Sequence, residues 1–173
     1  MPPLEIILVF LLASIVIVVA WAQLHPRKRK QARPPRPDDP VPANAIVVDA
    51  SNVMHWGGQP SAKTLIKVIN ALERAKLTPI AIFDASAGYK LSDRYMNERA
   101  LSDAIGLPRQ HIYVVHKGVV ADEVILDFAK QHGLRIVTND RYRDWAGPYP
   151  MVKDKRRLIK GTFKGGHVKL PSL

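Results

Sequence analysis

Apolar positions along the chain fall into two regimes. Residues 6–22 are an unbroken apolar run apart from Ser14. From Asn44 onward, short apolar runs alternate with amphipathic stretches. Ile46–Val48 reads as a strand ending in Asp49. Ser61 is an N-cap residue for a helix reaching about Lys76, with Leu65, Ile66, Ile69 and Leu72 on one face. Ile80–Phe83 is a second strand. Ser92–Ile105 is predicted as one helix, stopped by Gly106 and Pro108. Ile112–Val115 is a third strand. Asp122–His132 is a helix closed by Gly133, and Arg135–Thr138 is a fourth strand. Leu158–Phe163 and Val168–Leu170, around Gly165-Gly166, read as short final strands. Strands alternating with helices predict a three-layer α/β/α domain with a mainly parallel central sheet.

The first regime reads differently. Residues 4–22 span about 19 residues, or about 28 Å of helix, which matches a bilayer core. Trp21 would stand at the interface. A cleaved leader is the competing reading, since Ala20-Trp21-Ala22 mimics a cleavage site. The start MPPLE carries no basic residue, and the apolar run is long for a leader, so an anchor is expected. Residues 25–42 hold six basic residues, two acids and six prolines, which predicts a semi-rigid extended linker. Its Arg27-Lys28-Arg29-Lys30 block fits a stop at the cytoplasmic face. The expected organisation is anchor 4–22, linker 25–42 and α/β domain 43–173. Its place is a membrane, single-pass, with the C-terminal domain cytoplasmic. A short anchor with no further domain suggests a bacterial inner membrane.

Composition narrows the chemistry. The chain has 26 Lys and Arg against 15 Asp and Glu, a net charge of +11. It has no cysteine, which removes disulfides, thiol nucleophiles and Cys-built metal centres. Its six His follow no ligand spacing. Metal chemistry would therefore use carboxylates.

Parallel sheets hold their sites at the carboxyl ends of strands. Asp49, Asp84 and Asp140 each follow an apolar strand segment. Any one of them serves equally well as a turn residue. Asp122 opens the helix that precedes the fourth strand. That helix and the strand are both about 16 Å long, so the chain returns Asp140 to the end where Asp122 began. Asp144 follows Asp140 by four residues, and one helical turn there would put both on one face. Arg141 and Arg143 offer these acids a structural alternative to a cation. Asp49, Asp122, Asp140 and Asp144 would repel one another without a cation between them. Hard oxygen ligands select Mg²⁺ or Mn²⁺. Such an acidic cluster in a basic domain suits a polyanionic substrate.

The motifs add a resemblance. Val47-Val48-Asp49-Ala50-Ser51-Asn52-Val53 resembles the opening D-x-S-N motif of NYN-domain ribonucleases, a PIN-like group. Thr138-Asn139-Asp140-Arg141-Tyr142-Arg143-Asp144 resembles the S/T-N-D-x-Y-R-D motif of the Regnase-type branch. Ala121-Asp122-Glu123 stands where that branch has an Asp-Asp pair, with Ala121 as a departure. Phe163 and Val168-Lys169-Leu170-Pro171 resemble the end of those domains. The likeness covers about residues 44–173.

It implies a metal-dependent endoribonuclease acting on single-stranded or looped RNA. Asp49, Asp122, Asp140 and Asp144 match the family's metal-binding acids. Asn52 matches the Asn beside the first acid, where its amide would orient a water or a phosphate oxygen. Basic residues expected at RNA are Lys90, Arg94, Lys117, Arg141 and Arg143, with the cluster Lys153, Lys155, Arg156 and Arg157. Trp56 and Trp145 lie beside the two acidic motifs and would either stack on bases or pack in the core. The resemblance leaves a homodimer open. A catalytically weak RNA-binding module is the alternative reading, with Ala121 as its support. An Asp-nucleophile phosphatase would want an acid where Ser51 stands, and a nucleotide-binding loop would want glycines after the first strand.

Overall fold

The computed structural model describes residues 41–171 and 173. The expected anchor, 4–22, and all but the last two residues of the expected linker, 25–42, lie outside them. Among the described residues no helix is long and apolar enough to cross a membrane.

Strand β1 (Ala45–Asp49) is buried along its whole length. That is the pattern of a central parallel strand covered on both faces. Its residues alternate between two cores, as the two-residue strand period requires. Ile46 and Val48 enter one cluster, and Ala45 and Val47 the other. A single helical turn, α1 (Ala50–Val53), follows at once. Next come α2 (Ala62–Arg74), β2 (Thr78–Phe83), α3 (Ala87–Ser92), α4 (Glu98–Ile105) and β3 (Ile112–Val114). The chain then makes α5 (Ala121–Gln131), β4 (Ile136–Val137), β5 (Leu158–Ile159) and the hairpin β6 (Thr162–Lys164) and β7 (His167–Lys169).

Five parallel strands form the main sheet in the order β3-β2-β1-β4-β5. On one face, Leu65, Val68, Ile69 and Leu72 of α2 pack with Leu101 and Ile105 of α4. On the other, Ile125, Leu126, Phe128 and Ala129 of α5 cover Val47, Ile80, Ile82 and Ile136. This is the expected three-layer α/β/α arrangement. The chain steps outward from β1 to β3, then returns to set β4 on the far side of β1. Strand order reverses between β1 and β4, and a crevice opens there at the carboxyl ends of the two strands.

Three segments depart from the sequence reading. The helix expected at Ser92–Ile105 is two pieces. Asp93 takes a left-handed conformation (φ 54°) and ends α3, and Asn97 caps α4 by accepting from the Ala100 amide at 3.0 Å. The strand expected at Leu158–Phe163 is broken at Gly161. Leu158–Ile159 joins the parallel sheet, whereas Thr162–Lys164 turns away to pair antiparallel with His167–Lys169. The third is at 140–144. Tyr142 is left-handed (φ 46°), and a short 3-10 turn covers only Arg143–Trp145, so Asp140 and Asp144 do not share a helical turn.

Candidate active site

The crevice is built from the ends of β1 and β4. Asp49 closes β1 and begins α1, whose Asn52 amide donates to Asp49 Oδ1 at 3.1 Å. The register pairs Val48 with Val137, which brings Thr138 opposite Asp49. Thr138 Oγ1 and the Tyr142 hydroxyl both donate to Asp49 Oδ2, each at 2.9 Å. Thr138 Oγ1 also accepts from the Asp140 amide at 3.0 Å. Asp140 Oδ1 accepts from the Tyr142 amide at 2.7 Å. One hydroxyl therefore ties the first acid to the backbone of the third. The left-handed turn at Tyr142 is what returns its ring toward β1; such a conformation costs a non-glycine residue about 1–2 kcal/mol.

Asp49 is 6% exposed. Burial pushes its carboxyl up to about 6 from 3.8. The three donors oppose that rise, and the charge of Asp122 adds to it. Burial, then the charge of Asp140, also holds Asp122 above the usual carboxylate range, and a hydrogen bond from Trp145 offsets part of this. Burial and the neighbouring Asp49 keep the Tyr142 phenol far above its normal range, so it stays a neutral donor. The charge of Asp122 is thus felt at Asp49, and that of Asp140 at Asp122. Asp144 is exposed on the 3-10 turn, and no described hydrogen bond joins it to the other three. Among the described residues no group of three Asp, Glu or His side chains is tight enough to enclose an ion.

Asn52 has a different position from the one its motif suggests. Its Oδ1 accepts from Trp56 Nε1 and from the Asn139 amide, each at 2.9 Å. It latches the first motif to the second, which leaves its Nδ2 as the part able to meet a substrate. Asn139 continues the latch through its side chain to the backbone of Gly161, at 2.9 and 3.1 Å. Thr138, Tyr142 and Gly161 received no site role from the sequence, although Thr138 and Tyr142 lie inside the second motif.

The remaining expected residues divide clearly. Arg141 and Arg143 are exposed and line a cavity with Lys153, Lys155 and Lys160. Lys160 also donates to the Asn139 carbonyl at 3.2 Å. It carried no sequence signal beyond following the apolar pair of β5. Lys117 is exposed in the loop before α5. Lys90 pairs with Asp84 at 3.4 Å. Arg156 is spent on Asp154, with two bonds of 3.1 Å, and Arg157 donates to the Gly133 carbonyl at 2.6 Å.

Asp84 is used as a turn residue. Its Oδ1 accepts from the Ser86 amide and hydroxyl, and its own amide donates to Ser51 Oγ. Burial alone would raise its pKa, but the bonds to Ser86 and Ser51 outweigh this and lower it. Glu123 is exposed, and its charge is felt at Tyr149. Ala121 packs against the apolar core beneath α5. Trp56 and Trp145 also pack against the two cores, which favours their structural role.

A family model described as the Zc3h12a-like ribonuclease NYN domain matches residues 42–172. Arabidopsis thaliana nuclear protein-only RNase P 2 (PRORP2) is similar in structure, with a TM-score of 0.60 and 21% identity. The match covers 78% of this chain and 30% of that one. A second structure of the A. thaliana nuclear proteinaceous RNase P 2 gives a TM-score of 0.56 and 20% identity, over 73% of this chain and 29% of that one. This chain thus spans less than a third of those proteins, and the likeness is one of fold. No curated protein sequence matches it.

Proposed function

The chain belongs to the Zc3h12a-like ribonuclease NYN domain family, and from that membership we propose that it is an endoribonuclease hydrolysing RNA phosphodiester bonds with Mg²⁺ or Mn²⁺. The observation that carries this is the bonding of Asp49 to Thr138 and Tyr142. It locks two motifs some 90 residues apart into one acidic crevice where the strand order reverses.

The donor set fits a hard cation. Asp49, Asp122 and Asp140 offer oxygen ligands; burial first, and a neighbouring acid after it, raises the pKa values of Asp49 and Asp122. They do not form a closed cage, which suits Mg²⁺, an ion that keeps waters and shares carboxylates with substrate phosphate. When bound, the ion supplies a Lewis acid that lowers the pKa of water and offsets charge on the phosphodiester. The chain's residues do the rest. Tyr142 and Thr138 hold the Asp49 carboxylate in one orientation. Trp145 steadies Asp122. Arg141 flanks Asp140 and attracts the RNA backbone.

The test is cleavage of a labelled single-stranded RNA by the full-length chain in detergent. Cutting is expected with Mg²⁺ or Mn²⁺ and not with EDTA. Asp49→Asn and Asp140→Asn should each reduce it by about 10²-fold or more, the scale of losing an electrostatic stabiliser. RNA binding without cutting under any metal would favour the second reading, an RNA-binding module. Ala121 supports that alternative, because an apolar contact replaces an acid of the family motif.

We propose too that residues 4–22 anchor this domain to a membrane, with 25–42 as a linker and the domain in the cytoplasm. The support is the sequence alone: the apolar run, the basic block after it and the prolines. Extended at about 3.1 Å per residue, the linker would reach about 55 Å.

A further inference from the structure

The basic residues beside the acids surround a cavity of about 690 Å³. Its walls carry five cations: Arg141, Arg143, Lys153, Lys155 and Lys160. No acidic side chain lines it, and among the described residues none of the five is in an ion pair. Like charges converging on one concavity favour an anion there. The rest of the lining is apolar. Ala146 is half-buried, and Val152 and Leu158 are core residues, 8% and 6% exposed. A bare phosphate needs neither apolar lining nor this volume, which lies within the roughly 300–1,000 Å³ of small-ligand pockets.

The cavity also adjoins the acids. Arg141 follows Asp140 in the chain, and Lys160 bonds the carbonyl of Asn139, which precedes it. We propose that this cavity is a nucleotide subsite: it holds one unpaired nucleotide of the RNA beside the scissile phosphate. The base lies on Ala146, Val152 and Leu158, and the phosphates lie among the five cations. The proposal rests on the ribonuclease reading and deepens it by naming what fixes the strand. Apolar contact to a base face tolerates any base but requires an unstacked one. The subsite therefore selects single-stranded over duplex RNA.

The experiment is calorimetric titration of the full-length chain in detergent with AMP, UMP, uridine and inorganic phosphate, without metal. The two monophosphates should bind at least about tenfold more tightly than uridine or phosphate. The double variant Lys153→Gln with Lys155→Gln alters only exposed side chains. It should lose about tenfold in monophosphate binding and raise KM for RNA by a similar factor, with kcat kept. Lys67→Gln, exposed on α2, should change neither value.

Equal binding of phosphate and monophosphates would overturn the proposal in favour of a plain anion patch. So would lysine-dependent binding to phosphatidylglycerol vesicles without monophosphate binding, which would assign the cavity to a lipid headgroup. Cleavage that persists with no monophosphate binding would sink the subsite alone. Lysine-dependent monophosphate binding in a chain that cuts no RNA would leave the subsite and sink the endoribonuclease reading.

Discussion

Asp49 carries a cost that its neighbours only partly relieve. Its carboxyl holds a proton up to about 6 in the fold against 3.8 when exposed. Between those values the native state binds more protons than the unfolded chain. Stability from this group is fully present below 3.8 and is lost as pH rises through 6, by on the order of 3 kcal/mol. Urea denaturation of the wild type should therefore show a fall between pH 4 and 7, and Asp49→Asn should flatten it. Parallel curves would assign the fall to another group. Asn52 allows a second test at this scale. Asn52→Ala removes the acceptor of two hydrogen bonds and should cost about 1–3 kcal/mol. Asn52→Asp keeps an acceptor for both donors and should lose less stability. If Nδ2 meets the substrate, Asn52→Asp still loses cleavage, and retained activity would confine Asn52 to its latch. The motifs disclosed the acids, but not which hydroxyls would face Asp49. The left-handed Tyr142 decides that, and no glycine or asparagine marks it in the sequence.

At the scale of elements, periodicity located the first four strands and the core-facing side of α2, because that helix is long enough to average out local exceptions. It failed where a remote segment comes close. A Cβ on Gly88 would lie 2.4 Å from the Met96 amide nitrogen, so the chain after α3 must pass directly over that residue. The crossing, with Asp93 and Asn97 at its ends, divides what the apolar pattern joined into one helix. Gly88→Ala should lose at least the roughly 1–3 kcal/mol of ordinary overpacking, since backbone rather than a mobile side chain stands in the way. Gly161 is the counterpart at β5. A Cβ there would lie 2.4 Å from the Trp56 ring, and this close approach accompanies the break between β5 and β6. Gly161→Ala should lower the thermal midpoint and disturb the Asn139 latch with it. A midpoint unchanged within error would show that Trp56 can move aside.

For the whole molecule, the basic domain, the prolines and the apolar leader predict separable roles. Deleting residues 1–24 should release the protein from the membrane fraction and leave cleavage of a short RNA unchanged. A truncated chain that still sediments with membranes would remove the anchor reading. Strand order was not legible in the pattern of apolar runs, because that pattern does not say on which side of β1 the fourth strand will lie. Its position beside β1 also sets a timetable for biosynthesis. Asp49 emerges well before its partners, since Thr138 follows it by 89 residues and Tyr142 by 93. A nascent chain that stops before β4 has no assembled acidic crevice, whatever else has already folded. The fold thus withholds its acidic crevice from the growing chain until Thr138 and Tyr142 have left the ribosome.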